Sequence, residues 1–179
     1  ITTGEGSVVT TDDEELAQQL RLLRNHGITR PYHHELVGYN WRLSEMQAAI
    51  GCVQVGRLAG ILATKAANAV VMRRLLEPIE GVTAPVNPPE CDHPYMLYTV
   101  QIDGGRRDQA SHALTAAGIE NRIYFPPAHR QPIFAHLPDP LLPVTDAAAS
   151  TILSLPFHSR LREDDLEFIA GVLRESLAR

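Results

Sequence analysis

Apolar side chains recur along this chain at spacings that mark out its elements. Leu16, Leu20 and Leu23 stand at i, i+4 and i+7, which predicts an amphipathic helix through TDDEELAQQLRLLRNHG. Thr11 or Asp12 would cap it. Glu14 and Glu15 would face the positive end of the helix dipole, and Arg21 and Arg24 the negative end, with Gly27 as the stop. Just before it, SVVTT at residues 7–11 is β-branched and predicts a short strand. Residues 28–42, ITRPYHHELVGYNWR, follow no period and read as a loop. Ser44 and Gln47 form the reciprocal capping pair of a long helix, expected from Glu45 to about Leu76, bent near Gly56 or Gly60 and stopped by Pro78 and Gly81.

The second half changes character after the Pro-rich stretch VTAPVNPPECDHP, which reads as a boundary. MLYTVQI predicts a buried strand, RRDQASHALTAAG a helix closed by Gly118, and IENRIYF a second strand. A Pro- and His-bearing loop follows, and then a short helix, DAAASTIL, with Thr145 as its cap. SLPFH reads as a turn or short strand. The closing helix, Arg162–Ala178, carries Leu166, Ile169, Ala170 and Leu173 on one face. Strands mixed with helices give an α/β or α+β class. The strand at 7–11 has no evident sheet partner, and unpaired backbone groups are costly to bury.

Composition adds limits to this picture. With 179 residues the chain can bury a core, as one large domain or two small ones. A 44% apolar share and a net charge of −5 fit a globular protein with no broad attraction to nucleic acid or an anionic membrane. No apolar run is long enough to span a bilayer, and the N-terminus lacks the pattern of a secretory signal. Cys52 and Cys91 have neither CxxC nor metal-type spacing, so two reduced thiols in a cytoplasmic protein are expected.

Candidate chemistry is sparse. Gly4-Glu5-Gly6 lacks the P-loop ending and the dinucleotide fingerprint, and reads as a tight turn. Adjacent His33 and His34 would point to opposite faces of a strand, and no third ligand stands at zinc spacing. Asn40 and Arg42 lie just ahead of a helix N-terminus, where an anion such as phosphate is favoured; the alternative is that Asn40 closes a turn and Arg42 pairs with an acid. His129 sits in a loop and can shuttle a proton or donate a hydrogen bond, or be purely structural. Lys65, the only lysine, falls at the border of a packed stripe with its head towards water, not in a pocket that would make it reactive.

Five segments in order carry a resemblance: TTGEGSVVTTDDEELAQQLRLLRNHG, VGYNWRLSEMQAAIGCVQVGRL, HPYMLYTVQI, GIENRIYFPPAHRQPIF and LPVTDAAASTILSLPFHSRLREDDLEFI. Together they resemble the C-terminal portion of the DegT/DnrJ/StrS family of sugar aminotransferases, pyridoxal-phosphate (PLP) enzymes of fold type I. The resemblance implies an α/β protein divided into the end of a large PLP domain (1–56), a connecting helix (57–81) and a small α/β domain (82–179). It implies transfer of an amino group from glutamate or glutamine to a keto group of a nucleotide-linked sugar, in a cytoplasmic homodimer with shared active sites. In the family the lysine that holds PLP lies just before the TTGEGG-like turn. That position would precede Ile1, so no catalytic residue is assigned within this chain.

By the same resemblance, Asn40 matches the asparagine that reaches the PLP phosphate of the partner subunit. His129 matches a histidine near the sugar-nucleotide pocket. Arg42 and Tyr32 belong to a loop at the same entrance and are weaker candidates. Ser7 stands where a glycine is more usual. Two alternatives keep parts of this reading: a dehydratase of the same fold, in which histidine replaces the lysine, and a non-catalytic binding or assembly module.

Overall fold

The leucine stripe forms α1 (Glu14–Leu23), capped by Asp13, whose side chain accepts the Leu16 amide at 3.0 Å, rather than by Thr11 or Asp12. In this computed structural model, which describes residues 1–178, the chain divides into two compact units, Ile1–Ala59 and Gly60–Arg179. The strand expected at 7–11 does not form: among the described residues nothing pairs with it, and Val8 and Val9 are exposed. A β-branched run becomes a strand only when its backbone finds a partner.

The segment read as a wholly irregular loop holds a hairpin, β1 (Ile28–Arg30) with β2 (His33–His34), paired antiparallel. Pro31 sets its first corner and Tyr32 takes a positive φ of 62°. The chain then returns to α1. His26 donates to the Tyr39 carbonyl at 2.8 Å, Tyr39 to Leu23 at 2.7 Å and Trp41 to Arg24 at 2.9 Å, and Asn25 bridges Asn40. This return needs two glycines. A Cβ at Gly38 would collide with the Gly27 backbone nitrogen, and Gly27 itself has φ +67°.

The long helix expected from Glu45 to Leu76 is two helices, α2 (Glu45–Gly56) and α3 (Leu58–Leu76), with Arg57 as the C-cap of the first. Gly56 at the join weakens helix propagation, as glycine does in any helix interior. Ser44 and Gln47 form the expected capping box. No single helix is long and apolar enough to cross a membrane among the described residues.

In the second unit β4 (Tyr98–Ile102) is the central strand of an antiparallel sheet, between β3 (Val82–Thr83) and β5 (Ile152–Leu155). Tyr98, Val100 and Ile102 alternate inward and are buried, as period two requires. The register pairs Tyr98 with Leu155 and Gln101 with Ile152. Against this face pack α4 (Arg107–Ala116), through Ala110 and Leu114, and α6 (Glu163–Leu177), through Leu166, Ile169, Ala170, Leu173 and Leu177. Only the C-terminal half of α3 joins the core, through Ala69, Met72 and Leu76. The last carbonyls of α6 are met by Arg106, which donates to Leu177, and by Gln109, which donates to Ser176.

The strand expected over 119–125 shrinks to one bridge, Arg122 with Ser154. Asn121 is drawn instead to α4 by bonds with Ser111 and Thr115, and Pro126 and Pro127 lack the donors to continue a ladder. The helix expected to be capped by Thr145 starts earlier, as α5 (Pro143–Thr151), with proline in its first turn and no side-chain cap. The expected order of strand, helix, strand, helix, helix is therefore replaced by a three-stranded antiparallel sheet with helices against it.

Two expectations follow from this packing. Gly38→Ala should loosen the return to α1, raising hydrogen exchange at the His26, Tyr39 and Trp41 amides by at least about tenfold, or ~1.4 kcal/mol of local stability; unchanged protection would refute the close-approach argument. The Tyr98 hydroxyl is buried, and burial pushes its pKa up to about 12 against the opposing pull of the Arg73 guanidinium. Because the folded value lies above the ordinary one of about 10, its contribution is complete below pH ~10 and is lost as pH rises through the folded pKa. Tyr98→Phe should therefore remove this alkaline loss. Urea denaturation of both chains near neutral pH and again at pH ~12 measures it.

Candidate functional site

Asn40 forms an isolated antiparallel bridge with Asn25, and around it side chains two positions apart come together. Tyr39 and Trp41 stack with centroids 4.2 Å apart and planes 6° from parallel. Asn40 and Arg42 likewise come together: Arg42 Nε donates to Asn40 Oδ1 at 3.0 Å. This bond takes the acceptor of the Asn40 amide and leaves its Nδ2 donors free of any side-chain bond among the described residues. Arg42 has no carboxylate partner among them either; its other contact is His26 Nε2, at 3.5 Å. The alternative in which Arg42 pairs with an acid is not realised. What remains is a pair of donor groups with net positive charge, a chemistry that fits a phosphate.

The helix end behind them contributes less than its sequence suggests. The Gln47 amide already donates to Ser44 Oγ, and the Gln47 side chain turns back to the Ser44 amide and donates to the Glu5 carbonyl. One of the free amides expected to attract an anion is thus already used. Tyr32 projects from the hairpin tip, 96% exposed, and no hydrogen bond joins it to Asn40 or Arg42. His33 Nε2 lies 3.6 Å from Glu35, and the described residues hold no group of three metal-ligating side chains.

His129 belongs to the second unit, on a single 3-10 turn, Ala128–Arg130. Its Nε2 lies 3.1 Å from Asp146 Oδ1 in the first turn of α5, and its side chain is only 10% exposed. Arg130 forks onto both Asp146 oxygens and reaches Asp139 Oδ2 at 2.7 Å. The Arg130 hydrogen bonds hold the Asp146 carboxyl below its usual range and raise the guanidinium's own pKa; the Leu141 amide, then Arg130, does the same for Asp139. Asp146, Asp139 and Arg130 were missed in the sequence. Partners 9 and 16 residues from Arg130 follow no helical or strand spacing, so only the fold brings them together.

Lys65 reaches over the Phe157 ring, 5.9 Å from its centroid, and partial burial lowers its pKa. Lys65 does border the packed stripe, but its head, expected to reach water, lies over the ring and is partly desolvated. No cationic neighbour contacts Lys65 within the described bonds, so the ring contact accounts for its placement.

Comparison with known proteins gives this geometry its context. The chain is 38% identical to the UDP-N-acetyl-3-dehydro-alpha-D-glucosamine 3-aminotransferase of Acidithiobacillus ferrooxidans over 97% of its own length and 47% of the relative's. It is 35% identical to the dTDP-3-amino-3,4,6-trideoxy-alpha-D-glucose transaminase of Streptomyces venezuelae, over 96% of its length and 46% of that protein. Among solved structures, S. venezuelae DesV in complex with a ketimine intermediate superposes with a TM-score of 0.89 at 34% identity, covering 95% of this chain and 46% of that one. A DegT DnrJ EryC1 StrS aminotransferase from Brucella abortus gives 0.85 at 31% identity, covering 94% and 45%. The α/β fold is thus one shared with fold-type I sugar aminotransferases, and the chain spans about half the length of the curated relatives it matches. The family's sequence profile matches residues 1–174, and the chain belongs to the DegT/DnrJ/EryC1/StrS aminotransferase family.

Proposed function

We propose that this chain is the C-terminal part of a PLP-dependent aminotransferase that moves an amino group from glutamate or glutamine to a keto group of a nucleotide-linked sugar. The observation that carries the reading is the Asn40–Arg42 donor pair, held without a carboxylate partner on the backbone return to α1. PLP, when bound, supplies the electron sink for the chemistry. Asn40 would hold its phosphate through the free amide donors, and Arg42 orients that amide while adding positive charge. His129, and more weakly Arg42 and Tyr32, would contact the nucleotide sugar.

In the same proposal, residues 1–56 close the large domain, 57–81 form the connecting helix and 82–179 the small domain. The complete protein would be a cytoplasmic homodimer in which Asn40 serves the partner subunit's cofactor. Two features support a larger assembly in a reducing compartment. Val8, Met46, Val53 and Val55 are each at least 60% exposed, apolar side chains that an assembly would cover. Cys52 and Cys91 are free and exposed.

Two experiments test the reading. The chain by itself, mixed with PLP and reduced with borohydride, should gain no stoichiometric adduct, because its one lysine lies against Phe157; an adduct mapped to Lys65 would overturn this. In the complete enzyme, Asn40→Ala should weaken PLP binding about 10- to 100-fold, the worth of a hydrogen bond to a charged group. Equilibrium dialysis against PLP reads this directly, and unchanged affinity would remove Asn40 from the site.

A further inference from the structure

His129 is held unlike the other histidines. His34 bonds a backbone carbonyl, and His93 and His158 accept backbone amides through Nδ1. His33 stands 3.6 Å from Glu35 with both side chains about half exposed. Only His129, among the described residues, has a mostly buried ring in hydrogen-bond contact with a carboxylate. That carboxylate is itself fixed three times over. It sits in the first turn of α5, where the helix dipole favours negative charge. Arg130 grips both its oxygens, and Arg130 is anchored in turn by Asp139, whose other oxygen accepts the Leu141 amide at 3.0 Å.

An ionised carboxylate can only accept. In the neutral ring the proton must therefore sit on Nε2, and Nδ1 is left as the acceptor. Nδ1 makes no hydrogen bond among the described residues, and it is not among the buried polar atoms sealed without a partner. A ring needed only to pin the loop to α5 would be redundant, since Arg130 already ties residues 130, 139 and 146 together. The feature that pinning does not explain is the oriented, unused Nδ1.

We propose that Asp146, held by Arg130, is the positioning residue of His129: it fixes the ring in the Nε2–H form and presents Nδ1 as an acceptor for a hydroxyl of the nucleotide sugar. The role assigned to the sugar rests on the proposed function above; the fixed ring does not. A neutral Nδ1 accepts a hydroxyl proton but has nothing to give a phosphate, so the contact selects the sugar or ribose hydroxyls over the diphosphate.

The test begins with nitrogen-15 NMR of the imidazoles in the 179-residue chain, which reads the tautomer without cofactor or turnover. His129 should be in the Nε2–H form in the neutral ring. Asp146→Ala should give a mixture of the two forms while the β4 and β5 amide signals stay in place, and Asp146→Glu should restore part of the preference. An Nδ1–H ring in the native chain, or the same tautomer in Asp146→Ala, overturns the proposal. In the complete enzyme, Asp146→Ala should raise KM for a UDP-N-acetyl keto-sugar about tenfold, one hydrogen bond's worth, with KM for glutamate unchanged. If KM for the sugar does not move although the tautomer does, the hydroxyl contact is overturned. If UDP-sugar affinity instead rises as His129 is protonated, the ring serves the phosphates and the hydroxyl assignment falls. A complete enzyme that transfers no amino group to any nucleotide keto-sugar would defeat the functional reading and leave the NMR result standing.

Discussion

The antiparallel register of β4 against β5 is the constraint on which the second unit depends. Pairing Tyr98 with Leu155 and Val100 with Leu153 sets which residues of β4 point inward. Those residues, Tyr98, Val100 and Ile102, are the floor on which α4 and α6 lie. A slip of one residue would turn Thr99 and Gln101 into the core and expose the apolar set, so the register is strongly specified. Thr99 and Ser154 reinforce it on the opposite face with a hydroxyl pair 2.8 Å apart, which satisfies the buried Ser154 side chain. Because β5 follows α5 directly, the same register also places α5, and with it Asp146.

The first unit is organised by a different physical principle. None of its apolar side chains is buried; of its residues only Gly27 is. Its shape comes from backbone bonds between the 39–41 segment and the end of α1, and from two glycines close enough that a methyl group on Gly38 would block the contact. Such an arrangement holds Asn40 well locally. It leaves Val8, Val9, Met46, Val53 and Val55 exposed.

The two candidate groups share one device. A side chain whose donors or acceptors are to be offered to a ligand has its other polar atoms taken by a neighbour. Arg42 occupies the oxygen of Asn40 and leaves its amide protons; Asp146 occupies Nε2 of His129 and leaves Nδ1. If these groups bind ligands as proposed, each such bond would restrain the side chain beforehand and lower the entropy lost on binding.

Much of this was legible in local sequence, because its causes are local. The leucine stripe and the acidic first turn specify α1, Ser44 and Gln47 the start of α2, and the face at 166, 169, 170 and 173 the buried side of α6. Five segments together carried the family resemblance, the block around Asn40 among them, but the Arg42–Asn40 bond was not legible there. Strand formation was less legible. SVVTT and IENRIYF have strand-like composition, yet a strand exists only where distant backbone pairs with it, and Asn121 and the following prolines took the second segment elsewhere. Tertiary structure alone joined His129, Arg130, Asp139 and Asp146, and alone placed Lys65 over Phe157. Sequence by itself determined the elements whose hydrogen bonds and apolar faces close within a few residues; contacts that span a loop depend on where the whole core seats each element, and only the folded chain decides them.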